Sequence, residues 1–196
     1  VIVGVGASAG GLEAFQEFLG ALDVPQNLAI VFVQHLDPSR KSLLTELLAK
    51  STKLNVIELS GRQKLAAGAV YVCPPKTLLE LNDGVISCYE SNDRRPVGAI
   101  DHFFHSLAED QGERGIGVIL SGTGSDGTQG LKAISDHGGL TFAQDAESAK
   151  YDSMPRSAAT TGVADHVLSP TDIAYELLKY VAHLVEFEQP ATQQHW

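Results

Sequence analysis

Short, unbroken apolar runs alternate with amphipathic ones along most of this chain. VIVGV (1–5) reads as a buried strand, and Leu12, Phe15, Leu19 and Leu22 then recur at helical spacing. LAIVFVQH (28–35), LNVIEL (54–59), GIGVILSG (115–122) and GLTFAQ (139–144) predict further strands. SRKSLLTELLAK (39–50) and SDGTQGLKAISDHG (125–138) predict helices between them. The strands are continuously apolar instead of alternating with polar residues, so both of their faces must be covered. The expected fold class is therefore α/β: a doubly wound, mainly parallel sheet with helices on both faces.

One stretch departs from this rhythm. AVYVCPPKTLLELNDGVISCYE (69–90) holds three short β runs, and its NDG (82–84) is a tight-turn signal. It predicts an antiparallel β-hairpin at one edge of the sheet. Near the end, Ser169, Pro170 and Asp172 form a helix start with a cap, a proline at the first position and a capping box. Ile173, Leu177, Leu178, Val181, Leu184 and Val185 share one face of that helix, and the polar run 189–196 after it reads as a tail or linker.

Composition narrows the function classes. The chain has 196 residues, 43% of them hydrophobic, which suits one domain spanning 1–188. No apolar run approaches the roughly 18 residues of a spanning helix, and no secretory leader is visible. The chain begins in a strand without Met, so it is expected to be a piece of a longer protein. Fourteen basic residues face twenty-four acidic ones, a net charge of −10. That balance argues against a nucleic-acid or anionic-membrane partner, both of which select a basic face. Cys73 and Cys88 have no metal-binding spacing, and a reduced, cytoplasmic setting is expected over a disulfide between neighbouring strands. His102 and His105 lie three apart on an expected helix with no third ligand, so no metal site is expected there.

The corner after the first strand carries two overlapping signatures. Gly4, Gly6 and Ala9 fit the dinucleotide fingerprint, whereas Gly6, Ser8 and Gly10 fit the nucleophile elbow. A dinucleotide site needs an acidic residue at the end of the second strand, and that strand ends in Gln34 and His35. The elbow gains a partner at the same place. Ser8, His35 and Asp126 each follow a different expected strand, and ligands of parallel sheets bind at strand carboxyl ends. A serine hydroxyl needs an imidazole to take its proton and a carboxylate to fix the imidazole tautomer. The order Ser, His, Asp is not that of the α/β-hydrolases. Each residue also has a plainer use: Ser8 or Asp126 as a helix cap, His35 as a structural histidine.

GASAGG, QHLDP and LSGTGSDG, in that order, resemble the catalytic domain of the CheB protein-glutamate methylesterases of chemotaxis. The likeness extends through GAVYVCPP, RPVGAIDHFFHSLA and QDAESAKYDSMPRSAATTGVADHVLS. The resemblance implies Ser8 as nucleophile, His35 as general base and acid, and Asp126 as the carboxylate behind His35. It implies γ-glutamyl methyl esters on chemoreceptor cytoplasmic helices as substrate, with glutamine deamidation in some members, and neither metal nor cofactor. The backbone amides of Ala9, His35 and Thr123 are the candidates for the oxyanion hole. Ala9 and Thr123 stand where the family often has Thr and Met, which bears on pocket shape. No receiver domain is present in these residues, and a CheR-like methyltransferase in the same chain is an expected partner. A non-catalytic docking module built on the same fold is the alternative from a different class.

Overall fold

A computed structural model of the protein describes residues 1–22, 27–35, 43–92 and 98–188. Parts of three expected features lie outside the described residues: the helix over 39–50 before residue 43, the QHLDP run after His35, and the RPVGAIDHFFHSLA run before Gly98. The polar tail 189–196 lies outside them as well.

Seven strands form one parallel sheet. They are β1 (Ile2–Ala7), β2 (Ala29–Gln34), β3 (Asn55–Glu58), β5 (Ala69–Val72), β8 (Gly115–Ile119), β9 (Leu140–Gln144) and β10 (His166–Leu168). Their order is β10-β9-β8-β1-β2-β5-β3. Every residue of β1, β5 and β8 is buried, as the apolar runs require. Helices α1 (Gly11–Ala21), α2 (Leu44–Ala49) and α6 (Pro170–Glu188) share a core with Val3, Val5 and Phe32 on one face of the sheet. There the rings of Phe15 and Phe32 stack with centroids 4.0 Å apart. On the other face lie α3 (Ala99–Gln111), α4 (Thr128–Asp136) and α5 (Ser153–Thr160), with Ile100, Phe103, Phe104, Leu131 and Met154 in the core.

Gly4 and Gly6 belong to that second face, inside β1 itself. A Cβ on Gly4 would lie 2.8 Å from the Phe104 ring, and one on Gly6 would lie 2.5 Å from Ile100. These two glycines therefore let α3 press directly onto β1. Their packing role accounts for the G-x-G spacing without a pyrophosphate.

The hairpin is present as β6 (Thr77–Asn82) and β7 (Val85–Glu90), joined at Asp83 and Gly84. Both turn residues have positive φ, the geometry of a type I′ turn. Asp110 of α3 accepts hydrogen bonds from both turn amides, at 2.6 and 3.2 Å. The hairpin pairs with β4 (Arg62–Lys64) in a separate three-stranded antiparallel sheet, order β4-β7-β6. It does not extend the parallel sheet, because Leu79, Leu81 and Ile86 join the core that α3 shares. The start of α6 is as expected, with Ser169 Oγ accepting the Asp172 N–H at 3.2 Å.

The chain fills the β2 side of β1 first and returns to fill the β8 side. That reversal of direction at β1 opens a crevice at the strand carboxyl ends, where β1, β2 and β8 release their loops.

Candidate active site

Ala7 pairs with Gln34 at the last register position of β1 and β2. Ser8 and His35 are thus the first residues beyond two adjacent strands, which lie about 4.8 Å apart. The backbone of Ser8 is held from both sides. Its N–H donates to Ser121 O at 3.0 Å, and its carbonyl accepts from Gly11 N at 3.0 Å and Gln34 Nε2 at 3.1 Å. Gly10 turns the chain with φ +73° into α1, so Ser8 stands just ahead of the positive end of an 11-residue helix. Gly122 presses against this corner: a Cβ there would lie 2.7 Å from Ser8 Cβ, 3.0 Å from Ser8 N and 2.6 Å from Met154 Cε. Ser121 locks the same layer, donating from Oγ to Ala9 O at 2.8 Å and accepting from Tyr151 N at 3.0 Å.

His35 and Asp126 meet directly. Nε2 lies 2.6 Å from Oδ2, with the imidazole 30% and the carboxylate 14% exposed. Asp126 also accepts from the amides of Ile100 at 3.1 Å and Asp101 at 3.0 Å. It is therefore a helix cap as well, but for α3 and not for the α4 that follows it in sequence. Burial tends to raise its pKa; the hydrogen bonds from His35 and from the Asp101 and Ile100 amides outweigh that and leave it below the ordinary carboxylate value. An ionised Asp126 accepting from Nε2–H leaves Nδ1 as the free base of the ring.

Of the three expected oxyanion donors, the His35 amide is committed elsewhere, donating to Ala7 O at 3.2 Å as the last rung between β1 and β2. Among the described residues the amides of Ala9 and Thr123 donate to no protein acceptor. Ser8, His35, Thr123 and Asp126 line one cleft of about 730 Å³, with Lys76 and Asp101 also on its wall. Cys73 lines it too, but burial, reinforced by Cys88, pushes its thiol up to about 12, so it stays protonated near neutral pH. Both cysteines are free thiols. His102 stands away from the cleft, 3.8 Å from Glu80 Oε2 on the surface. Among the described residues no group of three His, Cys, Asp or Glu side chains is placed to hold a metal ion, and no helix is long and apolar enough to cross a membrane.

Asp101 and Ser121 were not singled out by the sequence, because each works through a contact with a distant segment. Gln34 and Gly122 stood beside the recognised residues His35 and Thr123, but their contacts with the Ser8 corner were not legible.

Comparison with known proteins gives a consistent result. A family model described as CheB methylesterase matches residues 3–177. A putative protein-glutamate methylesterase/protein-glutamine glutaminase of Leptospira interrogans is 35% identical over 174 residues, covering 87% of this chain and 89% of the relative. An uncharacterised 104.1 kDa protein of Rhodobacter capsulatus is 43% identical over 126 residues, covering 64% of this chain and 13% of the relative. The crystal structure of the Thermotoga maritima CheB methylesterase catalytic domain matches with a TM-score of 0.83 at 29% identity, over 91% of this chain and 97% of that one. The chain spans about half the length of other relatives named protein-glutamate methylesterase/protein-glutamine glutaminase, 53% for one from Cupriavidus pinatubonensis.

Proposed function

The chain belongs to the CheB methylesterase family, and from that premise we propose that Ser8, His35 and Asp126 form a catalytic triad that hydrolyses γ-glutamyl methyl esters on chemoreceptor cytoplasmic helices. The observation that carries the reading is the 2.6 Å contact between His35 Nε2 and Asp126 Oδ2, in the cleft that Ser8 also lines.

His35 Nδ1 takes the hydroxyl proton as Ser8 Oγ attacks the ester carbonyl carbon. Asp126 accepts from Nε2–H throughout and stabilises the imidazolium that results. The carbonyl oxygen becomes an oxyanion, for which the unengaged amides of Ala9 and Thr123 are the donors. The C–O bond to the methoxy group then breaks, and His35 returns the proton to the departing oxygen, giving methanol and a Ser8 ester of the glutamyl side chain. Water repeats the cycle: His35 removes its proton, the hydroxide adds to the acyl carbon, and Ser8 leaves with the proton from His35. The products are methanol and a glutamate carboxylate. An amide in place of the ester would release ammonia by the same steps, in keeping with the second activity in the relatives' names.

In this reading residues 1–188 are the catalytic unit and 189–196 a junction. The partners are methylated receptor helices in the cytoplasm and other domains of a longer chain, a CheR-like methyltransferase among them. The test is methanol release from a methyl-labelled chemoreceptor cytoplasmic fragment. Release that depends on His35 is expected, and a folded protein that releases none overturns the reading.

A further inference from the structure

Asp101 faces Asp126 across the join between α3 and α4, and the two carboxylates hold each other's helices. Asp126, just before α4, accepts from the amides of Ile100 and Asp101 at the start of α3. Asp101, in the first turn of α3, accepts from the amides of Gly127 and Gly130 at the start of α4, at 3.0 and 2.7 Å. Four orphan amides of two helix ends are satisfied by two side chains exchanged between them. Neither helix uses a side chain from its own N-cap residue, which is Gly98 in α3 and Gly127 in α4.

This exchange fixes the backbone on both sides of Asp126. Its own bonds tie it to α3, and the bonds of Asp101 tie the next residue, Gly127, to α3 as well. Gly127 has φ +96°, and a Cβ there would lie 2.3 Å from Ile119 Cδ1, so its conformation and place are closely defined. Loss of the Asp101 clamp would free the α4 start and let Asp126 turn away from Nε2 of His35. We propose that Asp101 is a positioning residue for the His35–Asp126 pair, holding the Asp126 carboxylate on the imidazole by reciprocal capping of α3 and α4. The inference rests on the methylesterase reading for its kinetic readout, but its geometric content does not.

Both bonds from α4 end on a single oxygen of Asp101, Oδ1. An amide oxygen can accept both of them, and an amide nitrogen in place of Oδ2 can donate to the neighbouring Asp126. Asp101→Asn therefore keeps the clamp, whereas Asp101→Ala removes it. The experiment measures kcat and KM for methanol release, together with the ring-nitrogen NMR shifts of His35, assigned by their loss in His35→Gln. Asp101→Ala is expected to lower kcat about 10- to 100-fold, by analogy with the loss of a hydrogen-bond partner behind a metal ligand. KM should change less than kcat, since the Oδ1 bonds of the clamp run to α4 and act through Asp126. The His35 ring should lose its preference for the Nε2–H tautomer in the same variant. Asp101→Asn should recover kcat to within about threefold and restore the tautomer. Wild-type kcat and tautomer in Asp101→Ala, or an Asn variant as slow as the Ala variant, would overturn the assignment. If Asp101→Ala does not fold, Asp101→Glu takes its place, keeping the charge but displacing the acceptor by a methylene. It should then be slower than Asp101→Asn, and equal or faster turnover would overturn the assignment. If the wild-type protein releases no methanol, the methylesterase reading fails while the tautomer measurement still decides the role of Asp101.

Discussion

His35 meets Asp126 through Nε2, at 2.6 Å from Oδ2. With Asp126 ionised, Nε2 donates to the carboxylate, which leaves Nδ1 for the role of base in the proposed mechanism. The contact also joins residues that lie 91 positions apart in sequence. Ser8 lines the same cleft because β1 and β2 end in register at Ala7 and Gln34.

Ser8→Ala should abolish turnover and leave the fold unchanged. The substitution keeps the Cβ that packs against Gly122 and the backbone bonds to Ser121, Gly11 and Gln34. Removing a nucleophile typically costs several orders of magnitude in rate. Methanol release and thermal unfolding of the same preparation check both halves, and near-normal hydrolysis by the folded variant would remove Ser8 from the mechanism.

Asp126→Asn separates the two jobs of that side chain. An amide oxygen in place of Oδ1 can still accept the Asp101 N–H, but the nitrogen in place of Oδ2 gives up the bond from the Ile100 N–H, so half of the α3 cap is kept. It can also donate to the imidazole and hold the wrong tautomer, a change that costs about 10⁴ in turnover in a serine protease. A fall in kcat of that order is expected, with a melting temperature lowered by the one lost cap bond but the protein still folded. Unchanged kcat would mean that Asp126 is a cap and nothing more.

The parallel sheet was legible because unbroken apolar runs such as VIVGV and AIVFV have few other uses. The short elements were not. β4 is the polar run RQK and β10 only HVL, and α5 carries Pro155 in its first turn, so none shows a usable period. At the site, that Ser8, His35 and Asp126 share one rim could be read because each follows an expected strand. The role of Gly4 and Gly6 could not, because it depends on Phe104 and Ile100 a hundred residues away. Asp126 was open to reading as a cap for the helix beside it in sequence, while the helix it caps is α3, met only in the folded chain.

Thr123→Ala should leave turnover within about threefold of wild type, because the proposed donor is the backbone amide. Thr123→Pro removes that amide proton and should cost about 10²–10³ in kcat, as losing one oxyanion donor does elsewhere. Equal turnover in the two variants would exclude this amide from the oxyanion hole.

Gly122→Ala tests the packing behind Ser8. Its φ lies outside the left-handed region, so the added methyl group acts through space alone. Met154 Cε, at 2.6 Å, can swing away, but the Ser8 backbone nitrogen at 3.0 Å is fixed by its bond to Ser121. A stability loss of about 1–3 kcal/mol is expected from the overpacking, with a fall in kcat as Ser8 is displaced. A variant as stable and as fast as wild type would show that the corner yields more readily than its hydrogen bonds suggest.

The paired carboxylates behind His35 should leave a signature in the pH dependence of stability. Asp101 titrates above the ordinary carboxylate value: burial raises it, the Gly130 amide opposes, and the charge of Asp126 raises it further. Asp126 titrates below that value, as described above. A depressed acid stabilises the fold above its unfolded value of about 3.9, and that stabilisation is lost as the pH falls through the folded value. A raised acid does the reverse: its contribution is complete below about pH 3.9 and is lost as the pH rises through the folded value. Asp101 therefore weakens the fold as it ionises beside Asp126, although its Oδ1 bonds to Gly127 and Gly130 persist. Asp101→Asn keeps those bonds and removes the charge, mimicking the protonated acid. The melting temperature of the variant relative to wild type should accordingly be higher at pH 7 than at about pH 4, rising through the window just above the ordinary carboxylate value. Melting curves of both proteins across that range provide the check. A difference that stays constant with pH, or shrinks as the pH rises, would show that the fold does not raise Asp101.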